Sequence, residues 1–169
     1  MPKAIRLYVR GVDSFNRIVG RLVMYLIFAM GGVLLYSAIS RSLFNVPLIW
    51  VVEMAQFGLA AYYLLGGSYS MQMGSHVRMD LLYSRWKPKT RATMDVFTIF
   101  FLMFYLVMLL LGGLSSTQYA LEYGQTNYSS WAPPLAPIKI IMTFGIFMML
   151  LQSISMFFKD LAKARGLEI

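Results

Sequence analysis

The most prominent feature of the sequence is a set of four long apolar runs without Asp, Glu, Lys, Arg or His. The runs cover residues 22–40, 54–73, 96–114 and 140–158, and each contains 19 or 20 residues. At about 1.5 Å per residue, each run as a helix spans roughly 28–30 Å, the thickness of a bilayer hydrocarbon core. None shows the polar stripe of a soluble amphipathic helix. The pattern therefore predicts an all-α integral membrane protein with four transmembrane helices.

Basic residues predict how these helices are oriented. Thirteen of the fifteen Lys and Arg residues lie in the N-terminal segment, the second connection or the C-terminal tail, whereas the first and third connections hold only Arg41 and Lys139. Because Lys and Arg concentrate in cytoplasmic loops, we expect both termini to be cytoplasmic and the helix number to be even. The predicted membrane domain covers residues 1–169, with spans at about residues 18–40, 49–73, 95–117 and 138–158.

Composition supports the membrane class and argues against several kinds of site. Hydrophobic residues make up 59% of the chain and charged residues 13%, whereas soluble domains average about 25% charged residues. The net charge of +8 is then an orientation signal, and we expect no nucleic-acid partner. A chain with no Cys and one His cannot build a Cys-ligated metal site. We find no nucleophile constellation or phosphate-binding loop, and predict neither enzyme activity nor a cofactor.

The second connection carries basic and aromatic residues together. Arg85, Trp86 and Lys87 follow a short apolar stretch, a composition typical of a helix lying in the headgroup layer. We predict such an interfacial amphipathic helix at about residues 80–87, in contact with membrane phospholipid, with an exposed linker as the alternative. Immediately before it, His76, Arg78 and Asp80 are candidates for positioning this helix or for contacting another subunit.

The first outer connection is short, and a charged residue lies on each side of it. Asn45 and Pro47 favour a turn, and Trp50 occupies a position suited to an interfacial aromatic residue. Arg41 and Glu53 lie on either side of the turn. They are candidates for a structural ion pair, with contact to a partner subunit as the alternative and a proton-carrying role for Glu53 as a third.

The second outer connection, residues 115–137, is long, aromatic and rich in Pro. It holds one charged residue, Glu122, and Trp131 begins its Trp-Ala-Pro-Pro sequence. Such a stiff aromatic segment is a candidate docking face for an outside partner, or an anchor at the membrane interface. Within the helices, Gly66-xxx-Ser70 and Gly112-xxx-Ser116 match the small-xxx-small pattern of close helix packing.

The centres of all four apolar runs are free of charged residues. Membrane carriers and channels usually place ionisable residues at this depth, because such residues are costly there and are retained for function. The sequence therefore favours an accessory subunit over a self-sufficient carrier or a membrane enzyme.

Three short motifs, in this order, resemble one known family. They are Arg41-xx-Phe44-Asn45-x-Pro47-xx-Trp50-xx-Glu53, His76-Val77-Arg78-Met79-Asp80 and Tyr128-Ser129-Ser130-Trp131-Ala132-Pro133-Pro134. Together with the length and the four spans, they resemble the small membrane subunit (the DctQ-like Q subunit) of tripartite ATP-independent periplasmic (TRAP) transporters. The resemblance covers essentially the whole chain.

The resemblance implies a function in uptake of organic acids across the bacterial inner membrane. A periplasmic solute-binding protein would deliver the solute to a large membrane subunit, the M subunit, which would hold the substrate and sodium sites of the symporter. This chain would be a fixed scaffold beside that subunit. A 2-oxo acid, a dicarboxylate and sialic acid all remain open as the solute. A self-contained four-helix transporter and a membrane assembly protein remain the alternatives.

Overall fold

The computed structural model describes residues 3–74 and 88–164, and four helices account for most of them. These are α1 (Lys3–Phe44), α2 (Ile49–Gln72), α3 (Pro88–Glu122) and α4 (Ala136–Ala164). Each contains a stretch long and apolar enough to cross a membrane. The prediction of an all-helical chain with four possible spans is confirmed. The predicted interfacial helix lies outside the described residues, as do the six candidates in and beside it: His76, Arg78, Asp80, Arg85, Trp86 and Lys87.

Helix α1 is much longer than the span predicted within it. It begins at Lys3, fifteen residues before the predicted span at residue 18, and runs 42 residues to Phe44. At 1.5 Å per residue its length is about 63 Å, roughly twice a hydrocarbon core. The charged N-terminal segment, which hydropathy alone leaves unassigned, therefore continues the first helix beyond its apolar part.

The helices form an open row in the order α1, α2, α4, α3. Helix α2 packs against both α1 and α4, while α3 packs principally against α4. Helix α1 also reaches α4, where Tyr8 Oη donates a hydrogen bond to the Leu151 carbonyl oxygen at 3.3 Å. The N-terminal part of α1 and the C-terminal part of α4 therefore lie together at one end of the helices, which we call the terminal end. The connections at residues 45–48 and 123–135 lie at the opposite end, the loop end.

Close approach of the helices depends on particular glycines. A β-carbon at Gly145 would lie 2.9 Å from the carbonyl carbon of Leu64, so α4 contacts the backbone of α2 there. A β-carbon at Gly20 would overlap the Tyr69 β-carbon. By contrast, one at Gly112 would meet nothing within 4 Å. The expectation that Gly112-xxx-Ser116 marks a packing face within the chain is therefore wrong, because position 112 faces open space.

The turn between α1 and α2 depends on the backbone of Asn45. This residue has φ of 53°, in the left-handed region, where Asn is tolerated better than most residues with a β-carbon. The Ser40 hydroxyl in the last turns of α1 donates a hydrogen bond to the Val46 carbonyl oxygen at 3.3 Å, which ties the turn to the helix. Asn45 therefore ends the helix and turns the chain towards α2.

Replacing Asn45 with valine should destabilise the protein by about 1–2 kcal/mol, because a β-branched residue pays the full cost of the left-handed conformation. Asn45→Gly is the matched control and should be close to neutral. Thermal unfolding in mild detergent measures both, and the valine variant should unfold about 2–8 °C lower. Equal unfolding temperatures for the two variants would contradict this role of Asn45.

Candidate functional site

Glu53 is the most unusual of the predicted site residues in the described structure. Its side chain is buried, with 8% relative exposure, and its Oε2 atom has no hydrogen-bond partner among the described residues. Glu53 lies on the same side of α2 as Leu64, three turns later, which contacts Gly145 of α4. The carboxylate is therefore held on the side of α2 that faces α4, near the loop end.

The ion pair expected between Arg41 and Glu53 does not form within the described chain. Arg41 is exposed and makes no ion pair with Glu53, whereas Lys159 and Asp13 form one. Helix geometry gives the reason, because Glu53 faces α4 whereas Arg41 lies at the end of α1. Trp50 is partly exposed, and Asn45 is exposed at the turn. Of the four candidates at this turn, Glu53 is therefore buried and the other three lie at the surface.

The second loop is a closed structure rather than a free linker. Two backbone hydrogen bonds tie its two arms together, from Asn127 N–H to the Pro133 carbonyl oxygen at 3.0 Å and from Leu135 N–H to that of Gln125 at 2.9 Å. Together they form an isolated antiparallel bridge between Thr126 and Pro134. At its tip Tyr128 is fully exposed and Trp131 is 42% exposed. The loop therefore presents two aromatic side chains on a fixed frame.

Lys139 fastens this loop to the neighbouring helices. Its Nζ atom donates to Gln125 Oε1 at 2.6 Å and to the Ser116 carbonyl oxygen at 3.3 Å. Beside it, the hydroxyl groups of Thr117 and Thr143 are 3.0 Å apart and bridge α3 and α4. The loop, α3 and the start of α4 are thus joined by hydrogen bonds.

A second polar group, which we call the Asp13 cluster, joins α1 to α4 at the terminal end. Asp13 Oδ1 accepts hydrogen bonds from Gln152 Nε2 at 3.1 Å and Ser155 Oγ at 3.2 Å. Its Oδ2 accepts from Lys159 Nζ at 2.5 Å. Asn16 Nδ2 adds a bond to Gln152 Oε1 at 2.6 Å. Gln152, Ser155 and Asn16 are almost fully buried, so the cluster fixes one helix on the other.

Sequence reasoning missed the Asp13 cluster because it treated the N-terminal segment only as a source of positive charge. Two signals could have revealed it. Asp13 is the one acidic residue among five basic residues in that segment, with Asn16 three positions later. In the last helix, Gln152, Ser155 and Lys159 recur at i, i+3 and i+7, which places them on one face. An apolar span with a polar stripe at one end needs a polar partner.

The chemistry available to the described residues is that of structural contacts. No group of three or more His, Asp or Glu residues that could hold a metal ion occurs in residues 3–74 and 88–164. The Asp13 carboxylate is engaged by three side-chain donors, and Lys139 is engaged by two acceptors. Glu53 has one carboxylate oxygen that is buried without a partner among the described residues, as do the side chains of Gln72 (Oε1) and Ser153 (Oγ).

Comparison with known proteins assigns the family. A search of curated proteins finds no match to the chain. A family model described as "Tripartite ATP-independent periplasmic transporters, DctQ component" matches residues 30–163, which covers most of the sequence and all three connections. The family is a transporter component family, whose members act with a large M subunit and a periplasmic P protein. The chain therefore belongs to the DctQ family, the small membrane subunits of TRAP transporters.

Proposed function

We propose that this chain is the fixed scaffold of a sodium-driven symporter for organic acids in the bacterial inner membrane. The observation that carries the proposal is how the chain uses its polar residues. The Asp13 cluster and the Lys139 contacts join helices to one another. Such fixed contacts suit a rigid support better than a carrier that must rearrange. The substrate and sodium sites would then lie in the large subunit.

The orientation in this proposal follows from the basic residues. The terminal end, with Lys3, Arg10 and Lys159, would face the cytoplasm, and the loop end would face the periplasm. Residues 80–87, with Arg85, Trp86 and Lys87, would lie against cytoplasmic headgroups. His76, Arg78 and Asp80 would contact that helix or the large subunit at the cytoplasmic side, and Arg41 and Trp50 would lie at the periplasmic rim.

Reconstitution tests this proposal against its alternatives. We expect proteoliposomes with the large subunit, the binding protein and this chain to take up an organic acid when a sodium gradient is applied, and to lose uptake when the chain is omitted. Uptake by this chain alone would support the self-contained carrier. Full uptake without the chain would support an assembly role and contradict the scaffold.

Glu53 is the residue that we expect to contact the large subunit most strongly. A buried carboxylate with an unpaired oxygen is costly in an isolated chain, and a donor that the large subunit inserts beside α2 and α4 at the loop end would remove that cost. Glu53→Ala should therefore weaken recovery of the large subunit more than about 30-fold, the effect of losing one partner of a buried charged contact. Quantitative co-purification in mild detergent measures this loss.

Two controls sharpen the Glu53 test. Glu122 is an exposed acidic residue at the same end, bonded at 2.9 Å to its own helix neighbour Gln118, and Glu122→Ala should leave recovery unchanged. In the same assay, Arg78→Ala tests whether Arg78 contacts the large subunit at the cytoplasmic side. Near-normal recovery with Glu53→Ala would remove Glu53 from the proposed interface.

The exposed aromatic residues of the second loop are the proposed docking face for the solute-binding protein. Replacing both Tyr128 and Trp131 with alanine should raise the concentration of binding protein needed for half-maximal uptake by at least about tenfold, because aromatic anchors dominate protein interfaces. Uptake at saturating binding protein should be unchanged. Tyr105→Ala, which removes an exposed aromatic side chain of α3, is the control. An unchanged half-saturating concentration would leave the loop as a membrane anchor.

A further inference from the structure

An apolar groove lies where α1 and α4 diverge. The two helices are joined at the terminal end by the Asp13 cluster. Towards the loop end they separate, and Val33 of α1 and Ile141 of α4 both line a cavity of about 630 Å³ whose floor is α2. The lining is almost wholly apolar, and Leu22, Ala29 and Trp50 on its walls are exposed.

The groove is too small to enclose a whole transmembrane helix. Gly58 contacts Met30 and Gly66 lies near Val23, an antiparallel register that places Trp50 beside residues 38–39 of α1. From the level of Leu22 to that of Trp50 the groove is therefore about 25 Å long. A helix 10–12 Å in diameter and 25 Å long fills roughly 2,000–2,800 Å³, which is several times the volume of the groove.

A single hydrocarbon chain matches these dimensions and the chemistry of the walls. Apolar walls in a bilayer attract no water, and an empty groove would forfeit the dispersion contacts of every lining side chain. A groove of this volume and length, with apolar walls and one open side, suits one extended acyl chain. The surrounding bilayer supplies such chains at high concentration.

The position of Arg41 indicates that the acyl chain belongs to a phospholipid. Arg41 follows Met30 by eleven residues, three turns of helix, so it lies on the groove side of α1. Its level is only roughly 4 Å beyond that of Trp50 at the end of the groove. Arg41 is exposed, whereas Lys139, the other basic residue of the loop end, is directed to Gln125 and Ser116. A guanidinium here can bind a phosphate in two-pronged fashion.

We infer that this groove is a phospholipid site, with one acyl chain between α1, α2 and α4 and the headgroup phosphate at Arg41. The inference does not depend on the proposed scaffold function, because it needs only that the helices lie in a bilayer. A lipid bound there would complete the packing between α1 and α4 that the protein itself leaves open at the loop end.

Native mass spectrometry of the full chain tests this site. The chain is equilibrated with vesicles of phosphatidylethanolamine and phosphatidylglycerol, extracted in mild detergent, and examined for bound phospholipid. We expect one retained phospholipid per chain. Ala29→Trp should lower its occupancy more than about tenfold, because the indole fills the groove. Arg41→Ala should lower the affinity about fivefold, the change that about 1 kcal/mol per basic residue represents.

The matched control is Ala38→Trp. Ala38 is also exposed on α1 but lies nine residues from Ala29, which is the opposite side of the helix, so lipid retention should be unchanged. Ala55→Trp blocks the groove from α2 and should repeat the loss if Ala29→Trp misfolds. Retention equal to wild type in both groove variants would overturn the proposal. In chains extracted from their native membrane, loss of the large subunit from Ala29→Trp with lipid retention unchanged would also overturn it, because the occupant would then be side chains of that subunit.

Discussion

Gly145→Leu should force α4 away from α2 and destabilise the chain by about 3 kcal/mol or more. A β-carbon at position 145 would already lie 2.9 Å from the Leu64 carbonyl carbon and 3.0 Å from its oxygen. Backbone atoms within a helix cannot move aside as a flexible side-chain end can. Because α4 joins α2, α3 and α1, the whole row loses its central contact. Thermal unfolding in mild detergent should show a loss of at least about 6 °C.

Gly112→Leu is the matched control for this prediction. It makes the same substitution inside an apolar helix, at a position where a β-carbon meets nothing within 4 Å. Because leucine is a better helix former than glycine by about 1 kcal/mol, Gly112→Leu should be neutral or slightly stabilising. Equal losses for Gly145→Leu and Gly112→Leu would contradict the close approach of α2 and α4.

Asp13→Ala should also destabilise the protein strongly, by about 3 kcal/mol. The substitution removes the acceptor for Gln152, Ser155 and Lys159, and the first two of these donors are fully buried. Each buried donor left without a partner costs about 1–3 kcal/mol, while the Lys159 contact contributes less because that side chain is 31% exposed. Unfolding should occur about 6–12 °C lower.

A control variant and a double-mutant cycle complete the test of the Asp13 cluster. Glu122→Ala removes an exposed carboxylate bonded to one neighbour and should cost less than about 0.5 kcal/mol. A double-mutant cycle with Asp13→Asn and Lys159→Met isolates the coupling of the charged pair. A cost for Asp13→Ala no larger than that for Glu122→Ala would show that the N-terminal part of α1 is not fixed on α4.

The four helices were predictable because membrane insertion imposes a simple rule. Every residue of an uncharged run of 19 or 20 must have its backbone groups bonded internally, so a helix is the expected structure. The same rule is silent where the chain leaves the hydrocarbon core. This is why the continuation of α1 from Arg17 back to Lys3 was not anticipated.

The candidate site was only partly predictable, because partners across helices depend on packing. Glu53 was singled out as a polar residue at the end of an apolar helix. Its burial between α2 and α4, however, depends on the contact between Leu64 and Gly145. The Asp13 cluster joins residues more than 130 positions apart, and nothing local to Asp13 identifies Lys159 as its partner. Sequence pattern thus indicated which residues are unusual, and the fold decided which of them meet.

The central claim, that this chain is the small subunit of a TRAP transporter, is tested most directly by isolating it from its native membrane. The tagged chain should be extracted in mild detergent, and the intact complex weighed by native mass spectrometry. We expect a stable complex with one much larger, many-span membrane protein, weakened by Glu53→Ala and unaffected by Glu122→Ala. Recovery of the chain alone or only with copies of itself would contradict it.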